Sequence, residues 1–242
     1  MEIGAGQAPH GRTDVVVDKY IDDDFERPGE QGMSFGRPLV VADGARLPFA
    51  DQSFAYVVAL HVLEHAPDPV SFAAEMSRVG AAGFVQVPSR QSEVTFGWPY
   101  HPWLIDLVSQ QLRFTPRGDA TAPAGPLFHQ SFASSPLMRL WWAAHRSEWH
   151  HSVPWSGQLD VEVEGDSEAP ATAEYDHERT VAALTAAYVS GRTRPLPGGV
   201  RERLRCPACR STLSYTNPLV CKGCDRAYPV IGHTPILLVT NC

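Results

Sequence analysis

Glu2-Ile3-Gly4-Ala5-Gly6, followed after a short turn by Val15-Val16-Val17-Asp18, reads as a strand, a glycine-rich loop and a second strand. The apolar pair Val40-Val41 then runs into Asp43-Gly44, and a third apolar run over 55–60 follows the turn-like Asp51-Gln52-Ser53. Next comes a helix, with Asp68 as its N-cap, Pro69 at the first helical position, and Phe72, Met76 and Val79 on one face. Phe84-Val85-Gln86-Val87 is a further strand, stopped by Pro88. Strand–helix–strand units of this kind predict an α/β fold built on a mostly parallel sheet with helices on its faces.

Beyond Pro88 the pattern reads as a loop rich in aromatic residues, with Phe96, Trp98, Tyr100, His101 and Trp103 available to line a pocket. Ser135-Pro136 starts a helix carrying Leu137, Leu140, Trp141 and Ala144. Leu159, Val161 and Val163 alternate with Asp160, Glu162 and Glu164, the pattern of a half-exposed strand. A last helix is predicted over about 174–190, with Gly191 as its stop. Residues 191–203, containing Pro195, Pro197, Gly198 and Gly199, read as a linker between a domain over 1–190 and a small unit over 204–242.

Composition narrows the function. The chain has 242 residues and a net charge of −7, unevenly placed: residues 191–242 carry +6 and residues 1–190 carry −13. The basic tail is therefore expected to dock on the acidic body. A body so acidic argues against nucleic acid as a partner, because that affinity rests on Lys and Arg neutralising phosphates. No apolar stretch is long enough to span a bilayer, and the N-terminus lacks a basic region followed by an apolar one, so neither a membrane nor a secretion signal is expected and a cytoplasmic location is predicted.

A Gly-x-Gly loop lets backbone approach a nucleotide-like ligand, and an acidic residue ending the next strand can accept hydrogen bonds from ribose hydroxyls. Gly4, Gly6 and Asp18 fit those roles. Glu2, two residues before the first glycine, suits a ligand bearing an ammonium group and would repel a pyrophosphate, and Ala8-Pro9 stands where a third fingerprint glycine would be.

Taken in order, Glu2 to Gly6, Asp18, the run Asp43-Gly44-Ala45-Arg46-Leu47-Pro48-Phe49, the run Ser53-Phe54-Ala55-Tyr56-Val57-Val58 and His61-Val62-Leu63-Glu64-His65 resemble the class I S-adenosylmethionine-dependent methyltransferases, of the type 11 kind, across residues 1–88. The resemblance implies a Rossmann-like sheet with an abbreviated N-terminus and S-adenosylmethionine as cofactor. It implies that Glu2, Gly4, Ala5 and Gly6 hold the methionine part, Asp18 the ribose, and Asp43, Gly44 and Ala45 the adenine, with Leu60 and His61 beside the methionine end. The sequence departs from the family in having almost nothing before Glu2, too few residues after Gly6 for the usual helix, and Ala55 in place of a common Asp.

Methyl transfer to a hydroxyl needs an oriented acceptor and a general base. His61 and His101 are the candidate bases; His65 suits a structural role, and His150-His151 are expected at the surface before a strand.

In the tail, Cys206-Pro-Ala-Cys209 and Cys221-Lys-Gly-Cys224 form two knuckles spaced for tetrahedral Zn²⁺, and four thiolates leave no open position, so the ion is expected to be structural. A disulfide pair is the alternative, disfavoured in a reducing compartment, and Cys242 is left over. These knuckles, with Tyr228-Pro229-Val230 and Thr234-Pro235-Ile236-Leu237-Leu238, resemble the Trm112-type zinc ribbon, with Gly232-His233 in place of an Asp-Gly turn. In other systems that ribbon is a separate subunit that activates methyltransferases; here it would be fused in cis. The leading expectation is an O- or N-methyltransferase acting on a small metabolite. The alternatives are an RNA or protein methyltransferase with an in-cis activator, against which stands the absence of Asn-Pro-Pro-Tyr after Val58, and a non-catalytic methyltransferase-fold scaffold.

Overall fold

The computed structural model describes residues 1–21, 33–118, 121–165 and 175–239. Strands β1 (Glu2–Ile3), β2 (Val16–Asp18), β3 (Leu39–Ala42), β4 (Val57–Leu60) and β5 (Ala82–Pro88) are all parallel and lie in the order β3-β2-β1-β4-β5. This is the mixed α/β, mostly parallel architecture that the strand–helix pattern implies. Helix α1 (Pro69–Val79) leads into β5, and its first turn is closed by the Asp68 carboxylate accepting from Ser71 N at 2.9 Å.

The alternation along the strands explains both faces of the sheet. Val15, Val17, Val40, Ala42, Val57, Ala59, Val85 and Val87 meet Phe72, Met76 and Val79 of α1 in one buried cluster. Val16, Leu39 and Val41 point the other way, onto Leu184 and Ala187. Those two belong to a helix that begins at His177, after the Asp176 cap, and ends at Val189. Gly191, with φ of +68°, closes that helix by donating to Tyr188 O.

The stretch read as an aromatic loop is largely ordered. It holds helix α2 (Arg90–Phe96) and the hairpin of β6 (Trp103–Val108) with β7 (Gln111–Pro116). The hairpin turn is Ser109-Gln110, both at positive φ (50° and 71°), a two-residue turn without glycine and so without the usual sequence signal. Trp103, Ile105, Leu112 and Phe114 carry it into the core, and Trp103 Nε1 donates to Ala66 O at 2.8 Å. Then follow α3 (Gly125–Ser134), α4 (Pro136–Ala144), α5 (Arg146–Trp149), β8 (His150–Ser156), antiparallel to β5, and β9 (Val161–Val163), parallel to β7. The expected surface placement of His150 and His151 is corrected: both lie within β8, half-buried, because pairing with Pro88 and Val87 places them on the main sheet.

The tail joins that sheet. After α6 (His177–Val189) and the short α7 (Gly198–Arg201), backbone pairs residues 48–50 with 203–205: Ala50 N donates to Arg203 O and Arg205 N to Pro48 O. β10 (Leu219–Val220) and β11 (Ala227–Tyr228) form one small hairpin, and β12 (Val230–Ile231) and β13 (Thr234–Leu237) another. Gly232, at φ +60°, turns the second. β13 then lies parallel against β3, with Ile236 opposite Val41 and Leu237 opposite Ala42, so the full order is β12-β13-β3-β2-β1-β4-β5-β8. Arg210 reaches Glu75 of α1 at 2.9 Å, and the same carboxylate holds Arg78 at 2.7 Å. Cys242 lies outside the described residues, as does the predicted start of α6 at Glu174. Among the described residues no helix is long and apolar enough to cross a membrane.

Leu237 is fully buried at the junction of tail and sheet. Leu237→Ala is expected to cost about 2–5 kcal/mol within a single cooperative unfolding transition, measured by chemical denaturation followed at both tryptophan fluorescence and zinc release; separate transitions for the two probes would contradict this coupling.

Candidate functional site

In an open parallel sheet, ligands sit beyond the carboxyl ends of the strands where the strand order reverses. Here the order reverses between β1 and β4, and a cavity of about 410 Å³ opens there. Gly4, Ala5 and Gly6 line it after β1, Asp18, Lys19 and Tyr20 at the end of β2, Asp43, Gly44 and Ala45 after β3, and His61, His65 and Ala66 after β4. Eight of the ten residues expected at the cofactor therefore converge on one cavity. Glu2 and Leu60 lie outside its lining: Leu60 is exposed, and Glu2 is buried with its carboxylate accepting from Thr13 Oγ1 at 2.5 Å and His10 N at 2.9 Å, which holds the turn after the loop.

Two glycines are required by close approach. Gly4 sits at φ +64°, and a Cβ there would lie 2.5 Å from Val62 Cγ2. A Cβ on Gly44 would lie 2.0 Å from the Phe72 ring, so the helix face closes directly under the cavity floor. Asp43 is committed on both oxygens: Oδ1 accepts from Ala45 N and Oδ2 from Lys19 Nζ, each at 2.9 Å. Burial works to lower the Lys19 pKa, but the Asp43 hydrogen bond and charge outweigh it and hold it above its ordinary value. Lys19, Tyr20 and Phe72 carry no motif signal in the sequence, since their roles depend on strand ends and a helix face meeting in space.

At the far end lies a polar cluster. His61 adopts φ +55°, uncommon for a residue with a side chain and often found at functional positions. Its Nδ1 donates to Glu64 Oε1 at 3.2 Å, and Gln86 Oε1 lies 3.2 Å from its Nε2. Burial lowers the His61 pKa, yet Glu64 more than offsets it and the net direction is upward. Glu64 is fully buried; desolvation would raise its pKa, but His61, His65 and His101 pull it down. His150 packs edge-on against His61 with ring centroids 4.9 Å apart, and burial together with the His61 charge lowers its pKa to about 4. Trp142 touches His150 and stacks on Trp149, linking this end to an aromatic wall that includes Phe96. His101 is not among the cavity-lining residues; it is buried, with Nδ1 donating to Glu93 Oε1 at 2.6 Å.

In the tail, the sulfurs of Cys206, Cys209, Cys221 and Cys224 all lie within 4.8 Å of one another, with no disulfide. Cys206–Cys224 and Cys209–Cys221 are 3.7 and 3.4 Å apart, near the roughly 3.8 Å edge of a tetrahedron with Zn–S about 2.3 Å. The Tyr228 hydroxyl donates to Cys206 Sγ at 3.1 Å and Gly223 N to Cys221 Sγ at 3.3 Å, as expected around thiolate ligands.

Comparison with known proteins agrees with both regions. A methyltransferase domain family matches residues 21–83, which span the Asp43-Gly44 segment and His61–His65 but not the loop at Gly4. The C-terminal region is similar to a UPF0434 protein of Nitrosococcus oceani, 42% identical over 40 residues, 15% of this chain and 68% of that protein. By this tail the chain belongs to the UPF0434 family. The UPF0434 ribbon is thus joined to a methyltransferase domain in a single chain. A solved complex of the Haloferax volcanii Trm112 methyltransferase activator with a methyltransferase is similar over 65% of this chain and 81% of that one, at 13% identity and a TM-score of 0.38.

Because β13 of the ribbon belongs to the main sheet, Cys206→Ser and Cys221→Ser are expected to lower the thermal midpoint of the whole chain along with its zinc content. Scanning calorimetry and metal analysis of each variant check this, and an unchanged main transition would show the ribbon to be energetically separate.

Proposed function

We propose that the chain is an S-adenosylmethionine-dependent methyltransferase acting on an oxygen or nitrogen of a small metabolite, with the ribbon as a structural zinc unit that stabilises the cofactor-binding sheet in cis. The observation that carries this is that one cavity at the strand-order reversal gathers the glycine loop, Asp18, Asp43 and His61. Its chemistry fits the cofactor. Among the described residues two carboxylates face it and its one lysine is paired to Asp43, so the lining favours a cationic sulfonium and ammonium over a pyrophosphate. When bound, S-adenosylmethionine supplies an electrophilic methyl group.

The chain's own residues would do the rest. Asp18 accepts from the ribose hydroxyls, backbone at Gly4 to Gly6 takes the methionine part, and Gly44 and Ala45 present backbone to the adenine. His61, oriented through Nδ1 by Glu64, would receive the acceptor's proton at Nε2 in its neutral form, with the acceptor taking the place now held by Gln86 Oε1. His101, buried on Glu93, is the less suited of the two candidate bases. The aromatic wall of Phe96, Trp142 and Trp149 suits a flat apolar acceptor and would exclude water. The net −13 over residues 1–190 weighs against a nucleic-acid acceptor. RNA-dependent or protein-dependent transfer of labelled methyl groups would overturn the metabolite reading, and a folded, zinc-loaded chain that fails to bind S-adenosylmethionine in calorimetry would overturn methyl transfer altogether.

Asp18→Ala is expected to weaken S-adenosylmethionine binding roughly ten- to hundredfold, the loss of about 1.5–3 kcal/mol for hydrogen bonds to a charged group. His61→Ala is expected to lower turnover by about 10²–10⁴, well beyond any change it makes in the cofactor Kd, measured by calorimetry and steady-state rates side by side.

A further inference from the structure

We propose that Glu64, His65 and His101 form a second metal site, apart from the ribbon, that takes one divalent transition-metal ion. A carboxylate oxygen of Glu64 and one ring nitrogen from each histidine lie within 4.8 Å of one another. Glu64 and His65 belong to a 3-10 turn (Leu63–His65) held by Trp103 at Ala66, and His101 approaches from the loop between α2 and β6.

Two observations point to a cation, and a third shows its imidazole ligands held in place. First, Glu64 is fully buried and its Oε2 has no hydrogen-bond partner among the described residues, while its Oε1 is used by His61. An unsatisfied buried carboxylate oxygen is costly, and a bound cation compensates it. Second, His101 donates Nδ1 to Glu93 Oε1 at 2.6 Å, which leaves Nε2 as its lone-pair nitrogen. A carboxylate behind the far nitrogen is the arrangement that orients metal-bound imidazoles. Glu93 is itself paired with Arg117 at 3.3 Å. Third, the His65 and His101 rings meet edge to face at 4.6 Å, with Tyr100 stacked on His65 and Trp98 beside His101, which fixes both imidazoles.

Two imidazoles and one carboxylate suit zinc, iron(II), manganese(II) or cobalt(II) and exclude the all-thiolate chemistry of the ribbon. Three protein ligands also leave open positions, unlike the closed Cys₄ set. His65 lines the cavity, so an open position there faces it. Resting on the methyl-transfer reading, an ion at this point would hold an acceptor bearing a hydroxyl or carboxylate beside His61; metal binding itself does not depend on that reading.

The test is the metal content of the full chain after reconstitution with Co²⁺, for the parent, Glu64→Gln and His101→Gln. The expected result is two ions per parent chain and one in each variant, with the ribbon's thiolate-to-cobalt absorption retained as an internal measure of folding. A parent chain that binds one ion, or a second ion that persists in both variants, overturns the proposal. Should a variant lose the ribbon signal, X-ray absorption of the cobalt-loaded parent decides: imidazole scattering supports the site, and sulfur-only coordination overturns it. Because no turnover is needed, failure here and failure of methyl transfer are told apart.

Discussion

The parallel pairing of β13 with β3 is the interaction on which the rest of the structure depends. β3 ends at Ala42, and the next residues are Asp43, Gly44 and Ala45 on the cavity. Without β13, β3 would be a sheet edge with unpaired amides, and edges are prone to fraying and to pairing with other chains. With Ile236 opposite Val41 and Leu237 opposite Ala42, the last strand of the ribbon braces the strand that presents the cavity's third wall. The ribbon and the site are thereby mechanically continuous, although no ribbon residue lines the cavity among the described residues.

Charge complementarity contributes less to this docking than the −13 and +6 halves suggest. Among the described residues, Arg210 pairs with Glu75 from ribbon to body, and Arg210 is largely exposed, which makes the pair worth about 0–1 kcal/mol. Leu204 and Leu237 from the tail are buried in the same core cluster as Val40 and Met76, and each such side chain is worth about 1.5–3 kcal/mol. Apolar burial and backbone pairing therefore dominate. The metal acts one step earlier, since a unit whose first hairpin pairs two-residue strands has too little core to hold its own shape.

The polar end of the cavity follows from a different constraint. His61 at positive φ and Glu64 at zero exposure are both unfavourable in isolation, and the turn that carries Glu64 is packed against β5 and β6. The buried carboxylate draws a shell of imidazoles, and its field raises His61 above its ordinary value against the pull of burial. His150, one ring further out, carries no such partner and moves down to about 4. Neighbouring histidines are thus shifted in opposite directions, His61 upward by Glu64 and His150 downward by burial.

The local patterns were legible from the amino acids alone. Asp68-Pro69 starts α1, Gly191 ends α6, the apolar runs Val15-Val16-Val17 and Val40-Val41 mark β2 and β3, and the two Cys-x-x-Cys knuckles meet in one cluster, because each depends on residues close in sequence. Hidden features depend on contacts between distant segments. The β6–β7 hairpin turns on Ser109-Gln110, whose positive φ values are imposed by the strands and not by glycine. His150 reads as surface until β8 pairs with β5, Lys19 gains its role only when Asp43 arrives from the next strand, and the segment over 191–203, which reads as a linker, gives no hint that the tail beyond it will become part of the main sheet. Motif spacing reports which groups one segment can present, whereas the partner that completes each group is chosen by packing, which no local pattern encodes.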